Sequence, residues 1–218
     1  MKITIEQVAS NPSVRSYIKK ADESLNAIGY TEHSFAHVTR VSRLAKHILI
    51  TLGYPEREAE LAEIAAYLHD IGNVINRVDH AHSGAVMAFH LLDKMGAEPD
   101  EIATIITAIG NHDEGTAFPV NAVAAALIIA DKTDVRSNRV RNSDTKKFDI
   151  HDRVNYSVKR SDLNVSEGAV ILDIDIDTEF CPVVDYFEIF LDRMLLCRKA
   201  AEKLGCKFKL LINGHRMI

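Results

Sequence analysis

Six side chains in this sequence have the chemistry to hold a metal ion and recur in the order His37, His69, Asp70, His82, His112, Asp131. The centre of the set is Tyr67-Leu68-His69-Asp70-Ile71-Gly72-Asn73, where two ligating side chains stand side by side at the end of an Ala-rich helical stretch. A lone His-Asp pair occurs by chance in many chains, usually solvated or in a helix cap. Its partners at a distance give it weight. His37, His69, Asp70 and Asp131 supply two imidazoles and two carboxylates from three predicted helices, a set that suits Fe, Mn, Zn, Co or Ni better than Ca or Mg.

Asp131 carries the most information. It follows Ala124, Leu127 and Ile128 on a helix that is apolar nearly all round, so its carboxylate is drawn inside. A buried carboxylate is costly unless it is paired or binds metal. The bland alternatives are a helix cap or a salt bridge to Lys132 or Arg136. His37 lies one turn before Val41 and two before Leu44, which aims it at the core.

The elements that must position these residues are helices. One or two short amphipathic helices are predicted over Ile5 to Ala27, broken at Ser10 or Asn11, and Ser34 caps a helix running to Gly53. Pro55 opens a helix to Asp70, with Ala62, Ala65 and Ala66 beside His69 to let neighbours approach closely. Ser83 precedes a helix to Met95, Pro99 opens the next with His112 just past Gly110, and Pro119 opens the apolar helix that carries Asp131. Beyond Arg141, Leu172, Ile174 and Ile176 alternate with Asp173, Asp175 and Asp177 as a strand with one wet face, and Ser161 to Val165 is its predicted partner. A helix from Pro182 to Gly205 and a strand over Lys207 to Ile212 follow. The expected fold is mainly α, a helical bundle over residues 1–141 with a small α+β appendage over 142–218 packed on it.

Composition narrows the function classes. The 218 residues are 47% hydrophobic and 26% charged with a formal charge of -5, so no basic stripe suggests a nucleic-acid polymer. The apolar run from Ala122 to Ala130 is too short to span a bilayer, and no membrane partner is expected. Met1 to Glu6 lacks an apolar core of signal-peptide length, and Cys181, Cys197 and Cys206 lack CxxC spacing; the expectation is a cytoplasmic protein with reduced thiols. No GxSxG, Walker or catalytic-Cys pattern is present.

From Ser34 to Arg141 the sequence resembles the HD-domain metal-dependent phosphohydrolase superfamily. The matching residues are His37 with Val38-Thr39-Arg40-Val41, then Leu68-His69-Asp70-Ile71-Gly72, then Ala130-Asp131-Lys132. His82-Ser83-Gly84-Ala85 and Asn111-His112 look like the added histidines of binuclear members. The resemblance implies an HD-like bundle with one or two divalent transition-metal ions, the first on His37, His69, Asp70 and Asp131 and the second on Asp70, His82 and His112. His80 competes with His82, and the Ser83-Gly84 context favours His82. Asp70, His69 and Asn73 are the implied catalytic residues, Asn73 standing where many members carry Lys. No GYP tripeptide stands near the place expected of cyclic-dinucleotide phosphodiesterases.

The implied activity is hydrolysis of a nucleotide or other small phosphate ester by metal-activated water, with a small phosphate-containing substrate as partner and a homodimer left open. The competing expectation is a metal-containing nucleotide-binding regulatory module without turnover. Lys132, Arg136 and Arg141, with Arg139 between them, are cations placed to bind substrate phosphate. Asp113 and Glu114 are candidates to orient His112. His33, His47, His90, His151 and His215 have no partner by spacing and are expected to be surface or structural.

Overall fold

The computed structural model describes residues 2–142 and 144–218 and is mainly α, with nine α-helices among the described residues and a small four-stranded sheet near the C-terminus. The first two helices, α1 (Ile5–Ser10) and α2 (Pro12–Ala27), are separated at Asn11. A reciprocal capping box joins Thr4 and Gln7, and the Asn11 side chain accepts from the Ser13 and Val14 amides. Ser34 caps α3 (Phe35–Thr51), α4 covers Glu56–Leu68, α5 covers His80–Lys94 and α6 covers Pro99–Gly110.

Helix α7 (Ala122–Lys132) is the centre of the bundle. It starts at Asn121, whose side chain accepts from Ala124 N at 2.8 Å, rather than at Pro119. Every residue from Val123 to Ala130 is fully buried, because α3, α4, α6 and α9 pack around it. That surround explains an apolar run without helical periodicity.

Two 3-10 turns, Ser137–Arg139 and Thr145–Lys147, lead to α8 (Ile150–Ser157), an element the sequence pattern did not predict. Strands β1 (Val158–Ser166) and β2 (Ala169–Ile176) form an antiparallel hairpin closed by Glu167-Gly168. Helix α9 (Val183–Lys203) then crosses over to β3 (Lys207–Ile212), which lies parallel to β2, and β4 (His215–Arg216) ends the sheet. Leu172, Ile174, Phe208 and Leu210 are buried on one face. On the other, Arg160 binds Asp162, Asp173 and Asp175 at 2.7–3.1 Å, so the aspartate row is an ion-paired wet face. No helix among the described residues is long and apolar enough to cross a membrane.

The close fit of α4 and α5 depends on two glycines. A Cβ on Gly72 would collide with the His80 carbonyl oxygen and lie 2.5 Å from Gly84 N, and one on Gly84 would lie 3.3 Å from Gly72 N and the His69 carbonyl. The turn after His69-Asp70 therefore packs backbone to backbone on the first turns of α5. Gly72→Ala should lower stability by about 1–3 kcal/mol or more, as overpacking does, and a denaturant titration checks it.

Candidate metal centre

His69 and Asp70 follow the last residue of α4, where a 3-10 turn over Ile71–Val74 replaces the helix. His37 sits in the first turns of α3 and Asp131 at the end of α7. Their donor atoms converge: His69 Nε2 is 3.1 Å from Asp70 Oδ2 and 3.5 Å from Asp131 Oδ1, and His37 Nε2 is 3.7 and 3.4 Å from the same two oxygens. Ligands on an ion with bonds of about 2.1 Å lie roughly 3.0–3.5 Å from one another, so this spacing fits a single cation.

The other ring nitrogens are tied down. His37 Nδ1 donates to Asp134 Oδ2 at 2.8 Å and His69 Nδ1 to the Ala66 carbonyl at 2.7 Å, which turns both Nε2 atoms inward. Both Nε2 atoms are buried without a hydrogen-bond partner. Buried polar atoms without partners are rare, and here they point at a shared centre.

A second group lies on the other side of Asp70. Its Oδ1 is 3.5 Å from His80 Nε2, which is 3.2 Å from His112 Nε2, while His112 Nδ1 donates to the Ile109 carbonyl at 2.6 Å. His69, His112 and Asp131 also come within ligating range of one another, so the groups overlap. The four imidazoles His37, His69, His112 and His80 form a row of edge-to-face rings spaced 5.0–5.3 Å.

The electrostatics match a cation site. Burial acts against ionisation of Asp70 and Asp131, yet His69 beside both, with Lys132 beside Asp131, holds each carboxyl well below its usual range. Burial alone would lower His69, but the two carboxylates outweigh it and push the imidazole up to about 10. Desolvation and neighbouring positive charge lower His112 well below its usual value and lower His80 as well, leaving both rings neutral.

The structure departs from the expected set at His82. Helix α5 starts at His80, directly after Asp79 in the left-handed region (φ 58°), four residues before the predicted start. Residues two apart on a helix differ by about 200° in direction. His80 is therefore buried against His112, and the His82 side chain is 58% exposed beside Asp79.

Of the expected phosphate-binding cations, Lys132 lines the pocket next to the donors, 2.7 Å from Asp131 Oδ2 and 3.3 Å from Glu114 Oε2. Arg136 and Arg141 do not line it. Arg136 binds Asp134 at 2.6 and 3.0 Å and Arg141 binds Asp22, because the chain leaves the helix at Thr133 and carries them away. Arg139 lines the pocket while donating to the Glu32 and Asp134 carbonyls.

Neither Asp113 nor Glu114 orients His112. Asp113 lies 3.6 Å from Arg77, and Glu114 joins Lys132 to Arg193 at 2.5 Å. Burial works against the Glu114 charge, but Lys132 and Arg193 hold its pKa at about 2.

Four functional neighbours went unread in the sequence. Arg77 and Arg193 add cations to the pocket wall, and His33, expected to be surface or structural, lines it with Nδ1 donating to the Thr31 carbonyl. Asp134 anchors His37 and is itself held by Arg40, Arg136 and Arg139. Its position one turn after Asp131 was the available signal. His151 also lines the pocket, whereas His47, His90 and His215 are exposed.

The HD domain profile matches residues 34–149, more than half of the chain. The chain belongs to the HD domain family. That family is one of metal-dependent hydrolases, and the His/Asp groups of this member are the residues that could hold its divalent metal. The chain is also similar to the uncharacterized protein MJ1020 of Methanocaldococcus jannaschii, 27% identical over 190 residues, covering 77% of this chain and 72% of the relative. A solved structure of a predicted HD superfamily hydrolase from an uncultured Thermotogales bacterium is 26% identical and covers 61% of this chain and 72% of that one, with a TM-score of 0.46.

Two measurements test this HD centre. In metal titrations His80→Ala should weaken or reduce metal binding while His82→Ala leaves it intact. Asp134→Asn should weaken metal affinity by about 10–100-fold without removing a donor atom, the usual cost of losing an orienting carboxylate.

Proposed function

We propose that this protein is a metal-dependent phosphohydrolase or phosphodiesterase acting on a nucleotide or other small phosphate ester with water as the nucleophile. The observation that carries the reading is the joining of the His/Asp donors to a cationic wall, Arg77, Lys132, Arg139 and Arg193, around one pocket of about 260 Å³. Bound there, divalent metal would lower the pKa of a coordinated water and neutralise phosphoryl oxygens.

The protein's own groups prepare that chemistry. Asn73 Nδ2 donates to Asp70 Oδ1 at 2.9 Å and to the Asp70 carbonyl at 3.0 Å, fixing a carboxylate whose two oxygens face different donor groups. An amide has no proton to transfer at neutral pH, so Asn73 acts by positioning. Lys132 stays cationic despite burial because Asp131 and Glu114 stabilise its charge. A side-chain nucleophile has no support: the three cysteines are buried, none lines the pocket, and burial pushes the Cys197 thiol up.

Metal analysis of the purified protein combined with phosphate release from a panel of esters tests the proposal. Turnover should vanish on chelation and return with a transition metal. Asp70→Ala, which removes a donor from both groups, should reduce turnover to background while the chain remains folded by circular dichroism. Near-normal turnover in that variant would contradict the reading.

A further inference from the structure

The pocket wall carries two chemically different sets of groups. Besides the cations, α8 and its capping residue bring Asp149, Asp152 and Asn155 to the same cavity. Asp149 Oδ1 caps the helix by accepting from Asp152 N at 2.8 Å, and the nearby Arg153 turns away to Asp185 at 3.7 Å. Neither Asp149 nor Asp152 has an ion-pair partner among the described residues. Asn155 is 6% exposed, and its Nδ2 is engaged by the His151 carbonyl at 2.9 Å. Its amide oxygen, left without a partner among the described residues, is an acceptor at the pocket wall. These residues therefore offer carboxylate and amide oxygens that call for hydrogen-bond donors.

Two observations argue against a nucleobase here. The Arg77 guanidinium stands 5.5 Å from the Tyr30 ring centre, and that of Arg193 stands 4.7 Å from the ring of the fully buried Phe190. Phe190 is buried and offers no free face for stacking, and the more exposed Tyr30 already carries an arginine over its ring. The cavity of about 260 Å³ also falls below the roughly 300–1,000 Å³ common for drug-sized ligands, too small to enclose a dinucleotide.

We propose that α8 recognises the leaving group and selects a small phosphomonoester whose leaving group carries several hydrogen-bond donors, hydroxyl or ammonium, bound by Asp149, Asp152 and Asn155. This rests on the phosphohydrolase reading above and adds the substrate class. The anionic end meets the arginines and Lys132, and the donor-bearing end meets α8.

Matched ligands provide the test, with binding by calorimetry read alongside KM on the metal-supplemented full chain. Glucose 6-phosphate is compared with cyclohexylmethyl phosphate, a ring of the same size without hydroxyls, and phosphoethanolamine with ethyl phosphate. At least one donor-bearing ligand should bind about tenfold more tightly than its partner, the contribution expected of one to two hydrogen bonds to charged groups. The pair that shows the difference tells hydroxyl from ammonium recognition. Asp152→Asn, at a half-buried site, and Asn155→Ala should remove the difference while inorganic phosphate binds as before, with melting temperature as the folding control. Equal binding within both pairs, an unchanged difference in both variants, or tighter binding of a dinucleoside polyphosphate overturns the proposal. A binding preference with no turnover on any ester supports recognition by α8 and sinks the hydrolase reading; turnover without preference does the reverse.

Discussion

Two carboxylates, Asp70 and Asp131, are held ionised inside a helical bundle, and much of the structure offsets that cost. Desolvating a charge is expensive unless opposite charge and hydrogen bonds surround it. Here the compensation comes in layers: His37 and His69 around both oxygens, Asn73 on Asp70 and Lys132 on Asp131. Farther out, Asp134 holds His37 and is itself held by three arginines, while Glu114 steadies Lys132 and is steadied by Arg193. The rise of His69 to about 10 shows how strongly this point attracts positive charge.

Such a site needs helices closer than bulky side chains allow. Ala62, Ala65 and Ala66 on α4 and Ala124, Ala125 and Ala126 on α7 are fully buried, and α4 packs on α7. Gly72 and Gly84 bring the turn after Asp70 onto the start of α5. The same small residues that tighten the core set the distance between His80 and Asp70. Stability and the geometry of the site are thus the same packing problem, which is why one methyl at position 72 would disturb both.

What could be read from the sequence was what local signals encode. Capping by Asn11 and Ser34 and the break before Pro12 follow from chemistry within a few residues. The converging side chains of His37, His69, Asp70, His112 and Asp131 were legible as candidate ligands because each lies on a helix or at a helix end whose apolar pattern shows which side faces inward. His80 and His82 were exchanged because Ser83 resembles a cap, and a helix start misplaced by four residues left both histidines outside the predicted helix, where its periodicity could not tell which one points in. Arg136 and Arg141 were misread because basic residues after a helix say nothing of where the chain turns next. Arg193 gave no signal at all, since its partner Glu114 lies 79 positions earlier and only the packing of α9 on α7 brings them together.

The family match and the pocket do not end at the same place. The HD profile stops at residue 149, and α8 begins at Ile150. The donors and Lys132 lie inside the match, whereas Asp152, Asn155, Phe190 and Arg193, which line the same cavity, lie beyond it. The chain therefore takes its metal-binding chemistry from one part and much of its pocket wall from another. A family resemblance confined to the first part carries reaction class but not substrate, because Asp152 and Asn155, two of the three groups proposed to touch the leaving group, stand outside the pattern that defines the family. Arg193 links the two parts physically: it reaches back from α9 to Glu114, and through Lys132 to Asp131, so that the wall beyond the match also helps hold the charge balance of the site within it.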